Sequence, residues 1–170
     1  NSWVRVRGTV SYEENYVKYF LEDDSGGIRV EGALSNRFRA GESVEVLGLA
    51  KWDEQGNPYL EQARTRGAAP QPARDLPELT AQNLEFNDYG DQLVTATLTI
   101  THEERDSKRI VYDAALEDWP VTLHLPRDST NHPFPALEPG DRIKVTGLWV
   151  ASSDARRTRR FLDMYLRSSN

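Results

Sequence analysis

Two stretches of this chain share one pattern: Gly41-Glu42-Ser43-Val44-Glu45-Val46-Leu47-Gly48 and Gly140-Asp141-Arg142-Ile143-Lys144-Val145-Thr146-Gly147. Each places a turn glycine and an acidic residue before an alternating run that ends on a second glycine. A glycine at that point suits the bulge or sharp bend by which a short strand closes a small barrel. Upstream of the first stretch, Val4, Val6, Gly8 and Val10 alternate with Arg5, Arg7 and Thr9. Upstream of the second, Val94, Ala96, Leu98 and Ile100 alternate with threonines. A period of two is the mark of a strand with one buried face. The same elements therefore occur twice in the same order, and the chain is constrained to two copies of one unit.

Within the first unit, strands are expected at residues 3–10, 16–22, 28–31, 43–50 and 59–66. A polar loop at 12–15 and tight turns at Asp23-Asp24-Ser25-Gly26-Gly27 and Asp53-Glu54-Gln55-Gly56-Asn57 separate them. The run Gly-Ala-Ala-Pro-Gln-Pro from Gly67 breaks the periodicity and reads as a semi-rigid linker. A short helix is expected over 77–84, with Leu79 and Leu84 as apolar anchors. The second unit repeats the strands, with a charged loop at 101–108 and a turn around Glu117-Asp118-Trp119-Pro120. Five short strands with a long connection between the third and fourth fit the OB barrel. The expected fold is all-β: two tandem five-stranded OB-like barrels, 1–67 and 85–170, joined by a linker with a short helix at 68–84. The linker and the restarted pattern favour this over a single ten-stranded sandwich.

The 170 residues suffice for two small domains, and 38% hydrophobic with 28% charged residues describes a chain that folds rather than a disordered one. No stretch approaches the roughly 18 apolar residues of a membrane span. The chain starts and stops almost on strands, as expected of a piece of a longer protein, with Asn1 and Ser2 as leftovers of expression. A net charge of −6 argues against general nucleic-acid binding, which runs on Lys and Arg neutralising phosphates. The absence of cysteine removes thiol catalysis, disulfides and thiolate metal sites together.

Candidate ligand contacts fall in two groups. Arg156, Arg157, Arg159 and Arg160 lie between the fourth and fifth strands of the second unit, where OB proteins often grip oligonucleotides, with Trp149 and Phe161 nearby. The pairs Glu13-Glu14 and Glu103-Glu104 oppose that use. In the first unit Tyr12, Tyr16, Tyr19, Phe20 and Tyr59 cluster, with Trp52 near its end. Of these, Tyr16, Tyr19 and Trp52 are the expected stacking residues. No metal is expected, because His102-Glu103-Glu104 with Asp106 matches no ligand spacing of strong specificity. His124 and His132 have no partner visible in sequence for nucleophilic catalysis. The turn at residues 23–27 lacks the Lys of a P-loop and precedes a strand rather than a helix. The segment is expected to be non-catalytic and to need no cofactor.

The order Val-Arg-Val-Arg-Gly-Thr-Val (4–10), Tyr-Phe-Leu-Glu-Asp-Asp-Ser-Gly-Gly-Ile-Arg-Val (19–30) and Gly-Glu-Ser-Val-Glu-Val-Leu-Gly (41–48) resembles the extracytoplasmic OB-like sensor regions of bacterial membrane signalling proteins. In that group paired modules precede a transmembrane segment and a cytoplasmic histidine kinase or diguanylate cyclase. The resemblance implies a periplasmic sensor domain for signal transduction, tethered to a membrane through the parent chain. Its partner would be a small ligand or another protein, with nucleic acid not expected. The second copy departs from the pattern: Leu98 stands where a glycine is expected, residues 117–120 replace the Gly-Gly turn, and 127–137 is long. Two other readings stand beside this one, a single-stranded nucleic-acid-binding tandem OB module and a structural or assembly spacer.

Overall fold

The first strand of each unit runs further than its valines indicate: β1 covers Trp3–Asn15 and β6 Gln92–Asp106. The expected polar loops at 12–15 and 101–108 are strand up to Asn15 and Asp106. A register shift after Val10 in β1, and another after Ile100 in β6, bends the strand so that its charged continuation pairs onward. The computed structural model describes residues 2–15, 17–32, 38–86, 89–106, 109–125, 137–153 and 160–166.

Unit 1, Asn1–Asp75, contains β1, β2 (Lys18–Asp23), β3 (Gly26–Glu31), β4 (Ser43–Trp52) and β5 (Pro58–Gly67). They close as a barrel in the order β1-β2-β3-β5-β4, with β3 and β5 parallel and β4 returning to β1. Unit 2, Leu76–Asn170, contains α1 (Ala81–Phe86), β6, β7 (Arg109–Leu116), β8 (Trp119–His124), β9 (Arg142–Ser153) and β10 (Arg160–Leu166). Its barrel closes in the equivalent order, with β8 and β10 parallel. Two five-stranded closed barrels make the fold all-β and OB-like, and none of the described helices is long and apolar enough to cross a membrane.

The sequence repeat is also a repeat of hydrogen bonds. The Gly41 amide donates to the Val10 carbonyl at 2.8 Å, and the Gly140 amide donates to that of Ile100 at 2.8 Å. Val10 and Ile100 donate in turn to the carbonyls of Glu42 and Asp141. The Glu42 and Asp141 carboxylates each accept the amide three residues upstream, at 2.8 Å. Both turn glycines hold positive φ, 95° and 99°, which side chains rarely adopt. The closing glycines are required by close approach. A Cβ on Gly147 would lie 2.7 Å from the Tyr165 carbonyl oxygen, and one on Gly48 would lie 3.0 Å from the Leu60 Cβ. Gly8 and Leu98 hold equivalent places opposite Val44 and Ile143. A Cβ on Gly8 would come within 2.8 Å of the Glu22 carbonyl oxygen, whereas Leu98 is wholly buried in the second core.

Val10, Tyr19, Leu21, Val30, Val44, Val46, Leu60 and Ala63 form the first core. The second is larger, with Trp149, Tyr112, Leu123 and Met164 among its members, and Leu79 and Leu84 join it from outside the barrel strands. The helix starts later than the sequence suggests. Residue 78 forms a parallel bridge to Thr95, and Pro77 accepts the Thr95 amide at 2.9 Å, so this stretch is held extended. Thr80 then caps α1: its hydroxyl bonds Asn83 Oδ1 at 2.7 Å, and its amide donates to the same oxygen at 2.9 Å. Residues 68–74, read as linker, are fastened to unit 1. The Ala68 amide donates to the Ser43 carbonyl, the Gln71 amide to Ser43 Oγ, and the Arg74 guanidinium reaches the Asp23 carbonyl and Glu22. Proline and small residues report only that no regular element forms, not which barrel the backbone binds.

Candidate functional site

The outer face of unit 1 carries a row of side chains that the strand register brings side by side. Tyr12 pairs with Phe20, Phe20 with Arg29, Arg29 with Tyr59, and Tyr59 with Lys51. These positions alternate with the core residues Tyr19, Leu21, Val30 and Leu60, so the row faces away from the core. It crosses β2 and β3, the strands on which OB barrels bind oligonucleotides and oligosaccharides.

Phe20 is the floor of this face rather than a contact. Tyr12 meets it in a T-shaped contact at a centroid distance of 6.4 Å, Lys18 Nζ lies 5.8 Å from its ring centre, and it is buried. Arg29 lies over Tyr59 with its guanidinium carbon 4.8 Å from the ring centre, a cation–π contact that fixes a flat charged group against a flat ring. The carboxylates of Glu31, at 3.0 Å, and Asp53, at 3.5 Å, hold Arg29 from the side. Lys18 is paired with Glu14 at 2.7 Å and Lys51 with Glu61 at 3.7 Å. Every cation of the row thus has a carboxylate beside it.

Asp53 opens the β4–β5 turn, the second loop by which OB barrels hold ligands. Burial raises its carboxyl pKa, but the amides of Asn57 and Gln55, the Asn57 side chain and the Arg29 charge together hold it below the usual range. The same turn carries Trp52, which is 70% exposed. Trp52 keeps the core-facing parity of Val44, Val46 and Ala50 but comes after the last core residue of β4, and so stays uncovered.

The expected contact residues divide among three places. Trp52 is exposed beside the row. Tyr19 is 1% exposed and belongs to the core, which corrects its place in a stacking surface: alternation within β2 turns it inward and Phe20 outward. Burial pushes its phenol up, and the Thr65 hydroxyl offsets part of that rise without meeting hydrogen-bond geometry. Tyr16, Arg156, Arg157 and Arg159 lie outside the described residues, and of Arg160 only the backbone is described, paired with Ser153. Trp149, expected near the arginines, is instead wholly buried, and Phe161 is exposed.

Arg29 and Lys51 are not singled out by the sequence as members of this face, and Tyr59 only as one aromatic of a cluster, although part of the signal is present. A two-residue turn at Asp24-Ser25 sets Asp23 opposite Gly26 and hence Phe20 opposite Arg29. The partner of Arg29 on β5 comes from a parallel pairing closed through a long connection, which no turn in the sequence specifies. His124 has a partner that sequence does not show: its Nε2 lies 2.7 Å from Asp163 Oδ1, and its ring stacks on Tyr165 at 4.3 Å. Among the described residues no group of three or more His, Asp or Glu is placed to hold a metal ion.

No family model matches the chain, and no curated protein matches it significantly. Solved structures similar to it include a murine DNA-binding protein bound to double-stranded DNA, with TM-score 0.44 and 10% identity over 94% of this chain and 90% of that one. The Ifi202 HINa domain in complex with 20-bp double-stranded DNA is similar at TM-score 0.39 and 12% identity, over 94% and 91%. Fission yeast Pot1 with single-stranded DNA is similar at TM-score 0.40 and 10% identity, over 99% and 80%. These HIN domains and Pot1, rather than bacterial sensor regions, are what the comparison returns, and they correct the expected resemblance. The reading as a periplasmic sensor for signal transduction through a histidine kinase or cyclase is overturned with it, as is the expectation that nucleic acid is not the partner.

Proposed function

We propose that this chain is a non-catalytic module that binds single-stranded nucleic acid through the outer face of its first barrel. The observation that carries this reading is the row itself: the Arg29 charge over the Tyr59 ring, Tyr12 edge-to-face with Phe20, and Lys18 and Lys51 on either side. Aromatic faces take up unpaired bases whatever their sequence, and flanking cations take up the phosphates between them. A neutral oligosaccharide would stack on the same rings, but a nucleic acid would in addition bring phosphates within reach of Lys18, Arg29 and Lys51.

The charge of the chain sets how such binding works. With a net charge of −6 and each cation of the row already beside a carboxylate, few phosphates are neutralised on binding. Stacking then supplies most of the affinity, about 1–3 kcal/mol per base, and the salt dependence is shallow. The test is titration of a fluorescent single-stranded oligonucleotide with the protein over a salt series. Affinity that changes little with salt supports the reading, and absence of binding at every salt concentration overturns it.

A further inference from the structure

The register that aligns the row in the first barrel aligns an equivalent row in the second. Tyr12 follows the register shift in β1 as His102 follows the shift in β6. From there the pairings run His102 to Asp113, Asp113 to Thr122, Thr122 to Asp163, and Asp163 to Val150. Position for position, Tyr12, Phe20, Arg29, Tyr59 and Lys51 are replaced by His102, Asp113, Thr122, Asp163 and Val150. The central aromatic ring and the ring on the fifth strand both become carboxylates, and both cations become uncharged residues.

Among the described residues, the rings that continue this face in the second barrel do not restore the platform. His124 and Tyr165, one step further along β8 and β10, lie nearly parallel, 8° apart, and are stacked on each other. Asp163 is bonded to that same imidazole, so a carboxylate sits at the edge of the pair. Phe161 is exposed but shares its strand face with Asp163, two residues away.

We propose that the two barrels are unequal by design of this one row: the strand is held by the first barrel alone, and Asp113 and Asp163 keep it off the equivalent face of the second. The inference rests on the proposed function and deepens it, making the ligand a short single-stranded segment or the exposed end of a longer one. The two aspartates are specificity determinants, acting on footprint length and not on the stacking itself. A carboxylate in the floor of the face and another in place of the Tyr59 ring repel the phosphates that flank a stacked base, and among the described residues neither of these two positions carries a ring.

The experiment is backbone NMR on the whole labelled chain, titrated with oligothymidylate of about 30 nucleotides, roughly twice the upper site size of one OB barrel. Shifts confined to the first barrel are expected, at Tyr12, on β2, β3 and β5, and from Lys51 through the β4–β5 turn. Shifts at Asp113, Thr122 and Asp163 as well would overturn the confinement while leaving nucleic-acid binding in place. Shifts nowhere would instead remove the underlying reading. Rebuilding the row with Asp113→Phe, Thr122→Arg and Asp163→Tyr should extend the shifts to the second barrel and tighten binding of the long oligonucleotide about tenfold. A folded variant whose footprint and affinity stay as they were would show that the row does not set the limit.

Discussion

The Arg29 guanidinium carbon lies over the Tyr59 ring, 4.8 Å from its centre, across the parallel pairing of β3 and β5. That pairing is the closure by which an OB barrel differs from a simple meander, so the contact exists only once the barrel has formed. Barrel closure and the assembly of the candidate face are one event.

Asp53 connects this face to stability. Its folded-state pKa lies below the ordinary value, so its contribution is present above about pH 4 and is lost as pH falls through the folded pKa. Asp53→Asn keeps an oxygen for the Gln55 and Asn57 amides but removes the charge facing Arg29. The variant is expected to melt below the wild type at pH 7, with the difference closing as pH drops towards 3, as thermal melts over that range will show. A gap that persists at low pH would contradict the assignment. With Arg29 less neutralised, the same variant should bind single-stranded oligonucleotide more tightly at low salt and show a steeper salt dependence.

The closing glycine of the second barrel gives a packing prediction. Gly147→Ala forces a Cβ to within 2.7 Å of the Tyr165 carbonyl oxygen and 3.0 Å of Met164 Cγ. A loss of about 1–3 kcal/mol is expected in denaturant unfolding, in line with overpacked interiors. Gly90→Ala meets nothing within 4 Å and is expected to stay within about 0.5 kcal/mol of wild type.

Thr80 begins the short helix that seats Leu84 in the second core. Thr80→Ala removes the hydroxyl that bonds Asn83 and should cost about 1 kcal/mol. Amide exchange is the measurement of choice, with faster exchange expected at Leu84, whose amide bonds the Thr80 carbonyl at 3.2 Å.

The fold was legible in the sequence because its two copies share local constraints. Gly41 and Gly140 mark turns with the same hydrogen bonds, and Gly48 and Gly147 mark the same close approach. Strand ends were read less well, since bulges after Val10 and Ile100 carry the strands through charged segments that composition marks as loop. The candidate site was half legible. Trp52 could be singled out as an uncovered ring, but counting aromatics could not separate Tyr19, inside the barrel, from Tyr12 and Tyr59, outside it. That separation needs the parity of each strand against a bulge, and the meeting of Arg29 with Tyr59 needs the non-local closure. Asp163 is hidden from His124 for the same reason, because β8 and β10 also meet in parallel.

Whether the Tyr59 ring holds a base is decided by the oligonucleotide affinity of Tyr59→Ala beside that of Tyr59→Phe, both checked for folding by their melts. Removing the ring should weaken binding about 5- to 150-fold, the equivalent of one stacked base, while the phenylalanine variant stays close to wild type. Binding that survives Tyr59→Ala unchanged but disappears when Arg156, Arg157, Arg159 and Arg160 are replaced by Ser would place the interface on the second barrel and not on the Arg29–Tyr59 face.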